Sequence, residues 1–300
     1  MSRDVDAPAA AHVRQDVSTV MVVGAGLMGS GIAQVAAQAG LDVVLVDDDV
    51  EALDRAAARI ADSLARFVRS GSLTDDEASR ARGLIVTETD LRAGGSSADL
   101  VIEAIVEKLE PKQRLFAELD AMCAPDVVLA TNTSQFQIGR VAANCDRPDR
   151  VIGMHWSNPP QLMKLVELVV GPDTSSEAVA GAIRFLDGVD RRHVLCLKDV
   201  PGFISNRMST ALFMEGVRLV DEGIATAEDV DLVARLMFGH KMGPLETLDL
   251  AGLDTALLVS TALADFYGGD RFTPPDLLER HVAAGRTGRK SGSGFYEGLS

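Results

Sequence analysis

The chain has 300 residues, 47% apolar and 24% charged, a globular composition that excludes disorder of the whole chain and predicts about two domains. Twenty-nine basic against forty-four acidic residues give a net charge of −15, a field that repels polyphosphate and argues against nucleic acid as a partner. No apolar run reaches the roughly 18–20 residues of a membrane helix.

The first seventeen residues lack the apolar core of a secretory signal and read as a disordered extension, 1–17. Cys123, Cys145 and Cys196 are scattered, odd in number and without a CxxC pair. This argues against a disulfide framework or zinc site and fits a reducing cytoplasm, with no metal expected. Over 18–199, short Val/Ile/Leu runs alternate with helical stretches: Thr19–Val23, Asp42–Asp47, Leu84–Val86, Leu100–Ala104, Val127–Ala130, Arg150–His155, Leu165–Val170 and His193–Leu197. Strands apolar on both faces and separated by helices predict a mostly parallel sheet covered on both sides.

The first run leads directly into Gly24-Ala-Gly26-Leu27-Met28-Gly29 and then a helix. Gly24 permits the tight turn, Gly26 a close approach of backbone to a pyrophosphate, and Gly29 helix-on-strand packing, while the helix N-terminus supplies N–H groups and positive dipole. The second run ends at Asp47, eighteen residues past Gly29, where a carboxylate can accept from both ribose hydroxyls. Asp48 and Asp49 follow, and a 2′-phosphate would meet all three, so NAD is favoured over NADP. From the loop alone, FAD remains open.

Asp49 to Arg82 is helical with a break at Ser70-Gly71-Ser72, and Thr74-x-x-Glu77 caps the second piece, an inserted hairpin. Glu103-Ala-Ile-Val-Glu107 follows the next buried strand, with Lys112 in the helix beyond. Carboxylates there lie on the ligand side of an open sheet, or Glu107 caps the helix and Lys112 sits on the surface. Ala130-Thr-Asn132-Thr-Ser134 places hydroxyls and an amide directly after a strand, as a site or as a helix cap. Met154-His155-Trp-Ser-Asn-Pro-Pro160 ends another strand. Twelve residues on, Glu167 lies within an apolar strand, and a buried carboxylate needs a partner. His155 is the economical candidate, either as a general base oriented by Glu167 or as a structural hydrogen bond. From Val200 the strand runs stop, and 200–300 reads as an all-α domain. Its Met208–Glu222 helix is apolar around much of its circumference, and a Thr226 cap opens the next.

With these residues in view, the chain resembles the L-3-hydroxyacyl-CoA dehydrogenase family from about Val17 to Tyr296. GAGLMGSGIA resembles its NAD loop, including Leu27 and Met28, with Asp47 as the ribose acid. EAIVEKLEPKQ places Glu107 and Lys112 with residues near the nicotinamide end, and ATNTS puts Asn132 and Ser134 in the motif of the family's active-site serine. His155 and Glu167 match a His–Glu dyad, and KDVPGFISNR carries Asn206 where the family has an active-site asparagine. The resemblance implies an α/β Rossmann-type domain with the inserted hairpin, followed by the helical domain for substrate and dimerisation.

It further implies NAD-dependent hydride transfer between an L-3-hydroxyacyl-CoA, such as 3-hydroxybutyryl-CoA, and its 3-keto product. His155 would take the hydroxyl proton, Glu167 would balance the imidazole, and Ser134 and Asn206 would bond the reacting oxygen or thioester carbonyl. A cytoplasmic homodimer through the C-terminal helices is expected. Departures from the family lie in the hairpin, where only Arg66 and Arg69 stand where a basic stretch would meet CoA, and at Gln135-Phe136 and Trp156-Ser157. They leave open a carrier-protein thioester or a free β-hydroxy acid as substrate, and more distantly a non-catalytic NAD-binding protein.

Overall fold

Eight strands form one sheet in the order β3-β2-β1-β4-β5-β6-β7-β8 in a computed structural model that describes residues 17–95 and 97–298. The expected N-terminal extension lies outside the described residues except for Val17, which packs against the core beneath the sheet. In chain order the first part runs β1 (Thr19–Val23), α1 (Leu27–Gln38), β2 (Asp42–Val46), α2 (Val50–Arg69), α3 (Asp75–Gly83), β3 (Ile85–Glu88), α4 (Leu91–Gly95) and β4 (Leu100–Glu103). It continues with α5 (Leu109–Met122), β5 (Val128–Thr131), α6 (Ile138–Val141), β6 (Val151–Trp156), β7 (Leu165–Val169), α7 (Ser176–Gly188) and β8 (Arg192–Cys196). Each of the eight apolar runs folds as a strand. All pairings are parallel except β6 with β7.

Alternation along the strands sorts core from site. Val20, Val22, Ile102, Ala130, Met154, Trp156, Val166 and Leu168 enter one core together with α1, α2 and α7. Glu103, Thr131, His155 and Glu167 alternate with these residues and therefore face the opposite side. The hairpin α2–α3 keeps its sequence signal: Thr74 Oγ1 accepts from the Glu77 amide, and Glu77 accepts from the Thr74 amide. This closed capping box lowers the Glu77 carboxyl below its usual range, the Thr74 backbone bond being the main cause.

Contacts divide the chain into two compact units, one ending at Val200 and one beginning at Pro201. The second unit is helical, with α8 (Ser205–Asp221), α9 (Ala227–Leu236), α10 (Pro244–Ala251), α11 (Leu253–Tyr267) and α12 (Asp276–Ala283). Helix α8 packs against all four of the others, so its apolar circumference is used on several sides. Met214, Val217, Val230, Leu245, Leu248 and Leu278 fill the core. Two buried carboxylates replace further apolar packing. Asp231 accepts from the Leu245 and Glu246 amides and from the Tyr296 hydroxyl at 2.6 Å, and Asp249 accepts from the Phe295 and Tyr296 amides. These bonds tie the irregular Gly-rich tail to α9 and α10. Among the described residues no single helix is long and apolar enough to cross a membrane.

Candidate active site

The glycine turn between β1 and α1 is shaped by what a side chain would hit. Gly24 has φ 105°, and a Cβ there would run into the Ala104 carbonyl. At Gly29 a Cβ would collide with the carbonyl of Gly24. At Gly26 a Cβ would meet nothing within 4 Å, so the loop opens onto free space there. Gly26 caps α1 without any side-chain bond, and the first turn holds no acidic residue, so the positive end of the helix is not neutralised. A cavity of about 540 Å³ spreads from this point, lined among others by Gly24, Gly26, Asp47, Asp48, Ile105 and Glu118. Leu27 is exposed beside it, and Met28 packs inward. Asp47 Oδ2 accepts from the Ala25 amide at 2.7 Å and Oδ1 from the Asp49 amide at 3.0 Å, which fixes the carboxylate at the cavity wall. Arg55 is taken up by Asp49 and Glu51. An open glycine cradle, a helix N-terminus and a carboxylate at the end of β2 fit a dinucleotide's pyrophosphate and ribose.

A cation missed in the sequence lies next to this loop. Arg59 of α2 donates from Nη2 to the Ala25 carbonyl at 2.5 Å and from Nε to Ser30 Oγ at 3.4 Å. Arg59 and Arg66 are seven residues apart, nearly two helical turns, and share one face. Together with Ser30, Gln34, Ser63 and Gln161 they line a hollow of about 190 Å³. Arg69 does not join them. It lines a separate hollow between α2 and α3 with Arg82.

The antiparallel register of β6 and β7 pairs His155 directly with Glu167. Their side chains meet on the side of the sheet away from Trp156, with Nδ1 2.8 Å from Glu167 Oε2. A carboxylate can only accept, so Nδ1 carries the proton and Nε2 of the neutral ring is the acceptor. Ser134 Oγ lies 3.1 Å from that Nε2. Both His155 and Glu167 are buried. Asn132 secures the strand end, its Oδ1 accepting from the Trp156 amide at 2.9 Å.

Ser134 sits in a turn held by Glu107. One oxygen of that carboxylate accepts from Thr133 Oγ1 at 2.5 Å, the Ser134 amide at 2.9 Å and the Gln135 amide at 3.3 Å. Its other oxygen is 3.0 Å from Lys112 Nζ. Glu107 therefore does not cap α5, whose cap residue is Lys108, and Lys112 is not on the surface but 1% exposed. Asp199 accepts from the Ile138 and Gly139 amides and fixes the helix after the turn; burial pushes its carboxyl upward despite those bonds. Asn206 lies in the first turn of α8, in the second unit.

The first unit thus gathers the glycine loop and Asp47 at one cavity, and Ser134, His155, Glu167, Asn132, Glu107 and Lys112 around the ends of β4, β5 and β6. Arg59 was missed in the sequence, whereas Glu103 and Thr133 stand in the two segments read there as possible parts of a site, with no individual role attached to them. Glu103 had a readable signal, an acidic residue closing the apolar strand Leu100-Val-Ile, the same signal that marked Glu167. Among the described residues no cluster of three His, Cys, Asp or Glu side chains forms a metal site.

Comparison with known proteins shows the family. Residues 19–200 match the family profile of the 3-hydroxyacyl-CoA dehydrogenase NAD binding domain, and residues 202–298 that of the 3-hydroxyacyl-CoA dehydrogenase C-terminal domain. The chain is 40% identical to a probable 3-hydroxybutyryl-CoA dehydrogenase of Bacillus subtilis over 94% of its length and 98% of the relative. It superposes on the crystal structure of FadB2 from M. tuberculosis with a TM-score of 0.89 and 41% identity, covering 94% of this chain and 99% of that one. The (S)-3-hydroxybutyryl-CoA dehydrogenase PaaH1 from Ralstonia eutropha gives 0.90 and 36%, with 94% and 99% covered.

Proposed function

Since the chain belongs to the 3-hydroxyacyl-CoA dehydrogenase family of NAD-dependent oxidoreductases, we propose that it interconverts an L-3-hydroxyacyl-CoA and the 3-ketoacyl-CoA, with 3-hydroxybutyryl-CoA as the first substrate to test. The observation that carries this reading is the continuous contact from Ser134 Oγ to His155 Nε2, and from His155 Nδ1 to Glu167. Together these groups can accept, hold and return one proton. His155 Nε2 removes the proton of the 3-hydroxyl in oxidation and returns it in reduction. Glu167 accepts from Nδ1 throughout, sets the tautomer and balances the imidazolium. Ser134 Oγ donates to the oxygen as negative charge develops on it. For Asn206 the support is its KDVPGFISNR motif, and its role is a second donor to that oxygen or to the thioester carbonyl.

Gly24, Gly26, Leu27, Met28 and Gly29 would hold the dinucleotide's phosphates and Asp47 its ribose. By the EAIVEK and ATNTS motifs, Glu107 and Asn132 would hold the nicotinamide part, with Lys112 acting through Glu107. The chemistry supplied by the bound nicotinamide is hydride acceptance and donation. Of the two hairpin cations expected to meet the anionic acyl carrier, Arg66 lines the hollow beside the glycine loop and is assigned to it, whereas Arg69 lines the separate hollow toward α3. Exposed apolar side chains on the second unit, among them Leu236, Met237, Phe238 and Leu258, support a homodimer through the C-terminal helices. The free, scattered cysteines support a cytoplasmic setting.

The decisive assay is NADH oxidation by the purified chain with acetoacetyl-CoA, beside free acetoacetate and with His155→Ala as control. Thioester turnover that falls about 100-fold or more in His155→Ala, with NADH affinity within about twofold, is expected. Turnover of free acetoacetate alone would transfer the activity to unactivated β-hydroxy acids, and undiminished activity in the variant would remove His155 from the mechanism.

A further inference from the structure

Beneath the Ser134 turn lies a buried ion pair that none of the proton steps requires. Glu103, the last residue of β4, is 0% exposed, and its Oε1 is 2.6 Å from the Nζ of Lys112. The same Nζ reaches Glu107 at 3.0 Å, so one ammonium is shared between two carboxylates. Glu103 accepts two further bonds, Oε1 from the Ile105 amide at 2.7 Å and Oε2 from Thr131 Oγ1 at 2.7 Å. Thr131 stands beside Glu103 in the β4–β5 register, and its Oγ1 accepts in turn from the Thr133 amide.

Stability is a poor reason for such a pair. Removing two charges from water is costly, and a well-packed apolar pair of similar volume generally serves a fold as well or better. The pair is justified by where its bonds lead. Besides its bond from the Ile105 amide, two routes out of Glu103 end at one turn, through Lys112 and Glu107 to the Ser134 amide, and through Thr131 to the Thr133 amide. That turn sets the Ser134 hydroxyl 3.1 Å from His155 Nε2.

Building on the reaction proposed above, we propose that Glu103 is a positioning residue: by holding Lys112 against Glu107 and Thr131 beneath Thr133, it fixes the Ser134 hydroxyl opposite His155. A carboxylate is needed because only it can hold the ammonium and accept from two further donors at once. Glu103 touches neither Ser134 nor His155, so its effect is carried entirely by this network.

The test uses the full chain with Glu103→Gln, with Glu103→Asp, and with the double variant Glu103→Leu/Lys112→Met, which removes both fully buried charges and leaves without its ammonium only Glu107, which is 30% exposed to water. For each we would measure Tm, NADH affinity, kcat and KM for acetoacetyl-CoA, and the imidazole resonances of His155 by NMR. The expected pattern for Glu103→Gln is a kcat lower by about 10- to 100-fold, with KM and NADH affinity within about threefold and displaced His155 resonances. The double variant should keep or raise Tm and still show the low kcat and displaced resonances, while Glu103→Asp recovers part of the rate. Should Glu103→Gln fail to fold, the double variant decides alone. Wild-type kcat and unshifted His155 resonances in the double variant would overturn the proposal and leave the pair as a latch between α5 and the sheet. The NMR readout needs no substrate. A wild-type chain inert toward acetoacetyl-CoA but with displaced His155 resonances in the variants would count against the substrate reading, not against the positioning role.

Discussion

At the scale of single residues, three glycines in one turn do different work. Gly29 lacks room for any Cβ because the carbonyl of Gly24 occupies that space, so the constraint belongs to the fold. Gly26 has room and an ordinary negative φ, so nothing in the protein forbids alanine there. The constraint at Gly26 must come from what approaches the open loop. Gly26→Ala is therefore expected to keep Tm within a degree or two while weakening NADH binding by about tenfold or more, read by fluorescence titration. Gly29→Ala should lose about 3 kcal/mol or more of stability, read by denaturant unfolding. Equal loss of stability in both variants would show that Gly26 is structural. The same scale disposes of one departure from the family pattern. Trp156 follows His155 in sequence, but strand alternation sends it to the opposite face, where it packs edge-on against Phe185 in the core. It does not share a face with the His155–Glu167 pair.

At the scale of elements, the α2–α3 hairpin divides its cations by helical phase. Arg59, Ser63 and Arg66 form a stripe that faces Ser30 and Gln34 of α1, while Arg69 turns toward α3. In the sequence Arg66 and Arg69 look equivalent, and only the phase of α2 separates them. An anionic carrier lying near the glycine loop would meet Arg59 and Arg66. Arg66→Ala is expected to raise KM for acetoacetyl-CoA by about three- to tenfold with kcat little changed, whereas Arg69→Ala should leave KM within about twofold. Equal effects would mean that the carrier spans both hollows. Arg59 is less suited to this test, since it also bonds the Ala25 carbonyl and its loss would disturb the nucleotide loop.

At the scale of the whole molecule, the net charge of −15 opposes any anionic ligand, and local groups must overcome it: the helix dipole at Gly26 and the cations of α2. Salt screens the long-range repulsion more than contacts made at a few ångströms. Raising ionic strength from about 0.01 to 0.15 M, over which the Debye length falls from ~30 to ~8 Å, should therefore increase kcat/KM for a CoA thioester. A fall instead would show that the hairpin cations dominate the approach.

Much of this was legible in the chain itself because its signals are local. The eight strands follow from apolar runs between helical stretches, the nucleotide loop from glycine spacing after a strand, and the Thr74 and Thr226 caps from hydroxyl and acid spacing. Glu167 was marked because a carboxylate in an apolar strand needs a partner. The chain also offered His155 as that partner, and tertiary structure decided how the two meet. One antiparallel pairing in an otherwise parallel sheet set Glu167 beside His155, and register is a relation between strands that neither strand contains. The burial of Lys112, its division between Glu103 and Glu107, and the reach of Arg59 to the glycine loop were not legible in the sequence at all. Long flexible side chains look like surface groups until packing removes them from water, and their charge then commits them to whatever carboxylate or carbonyl the fold has brought within reach.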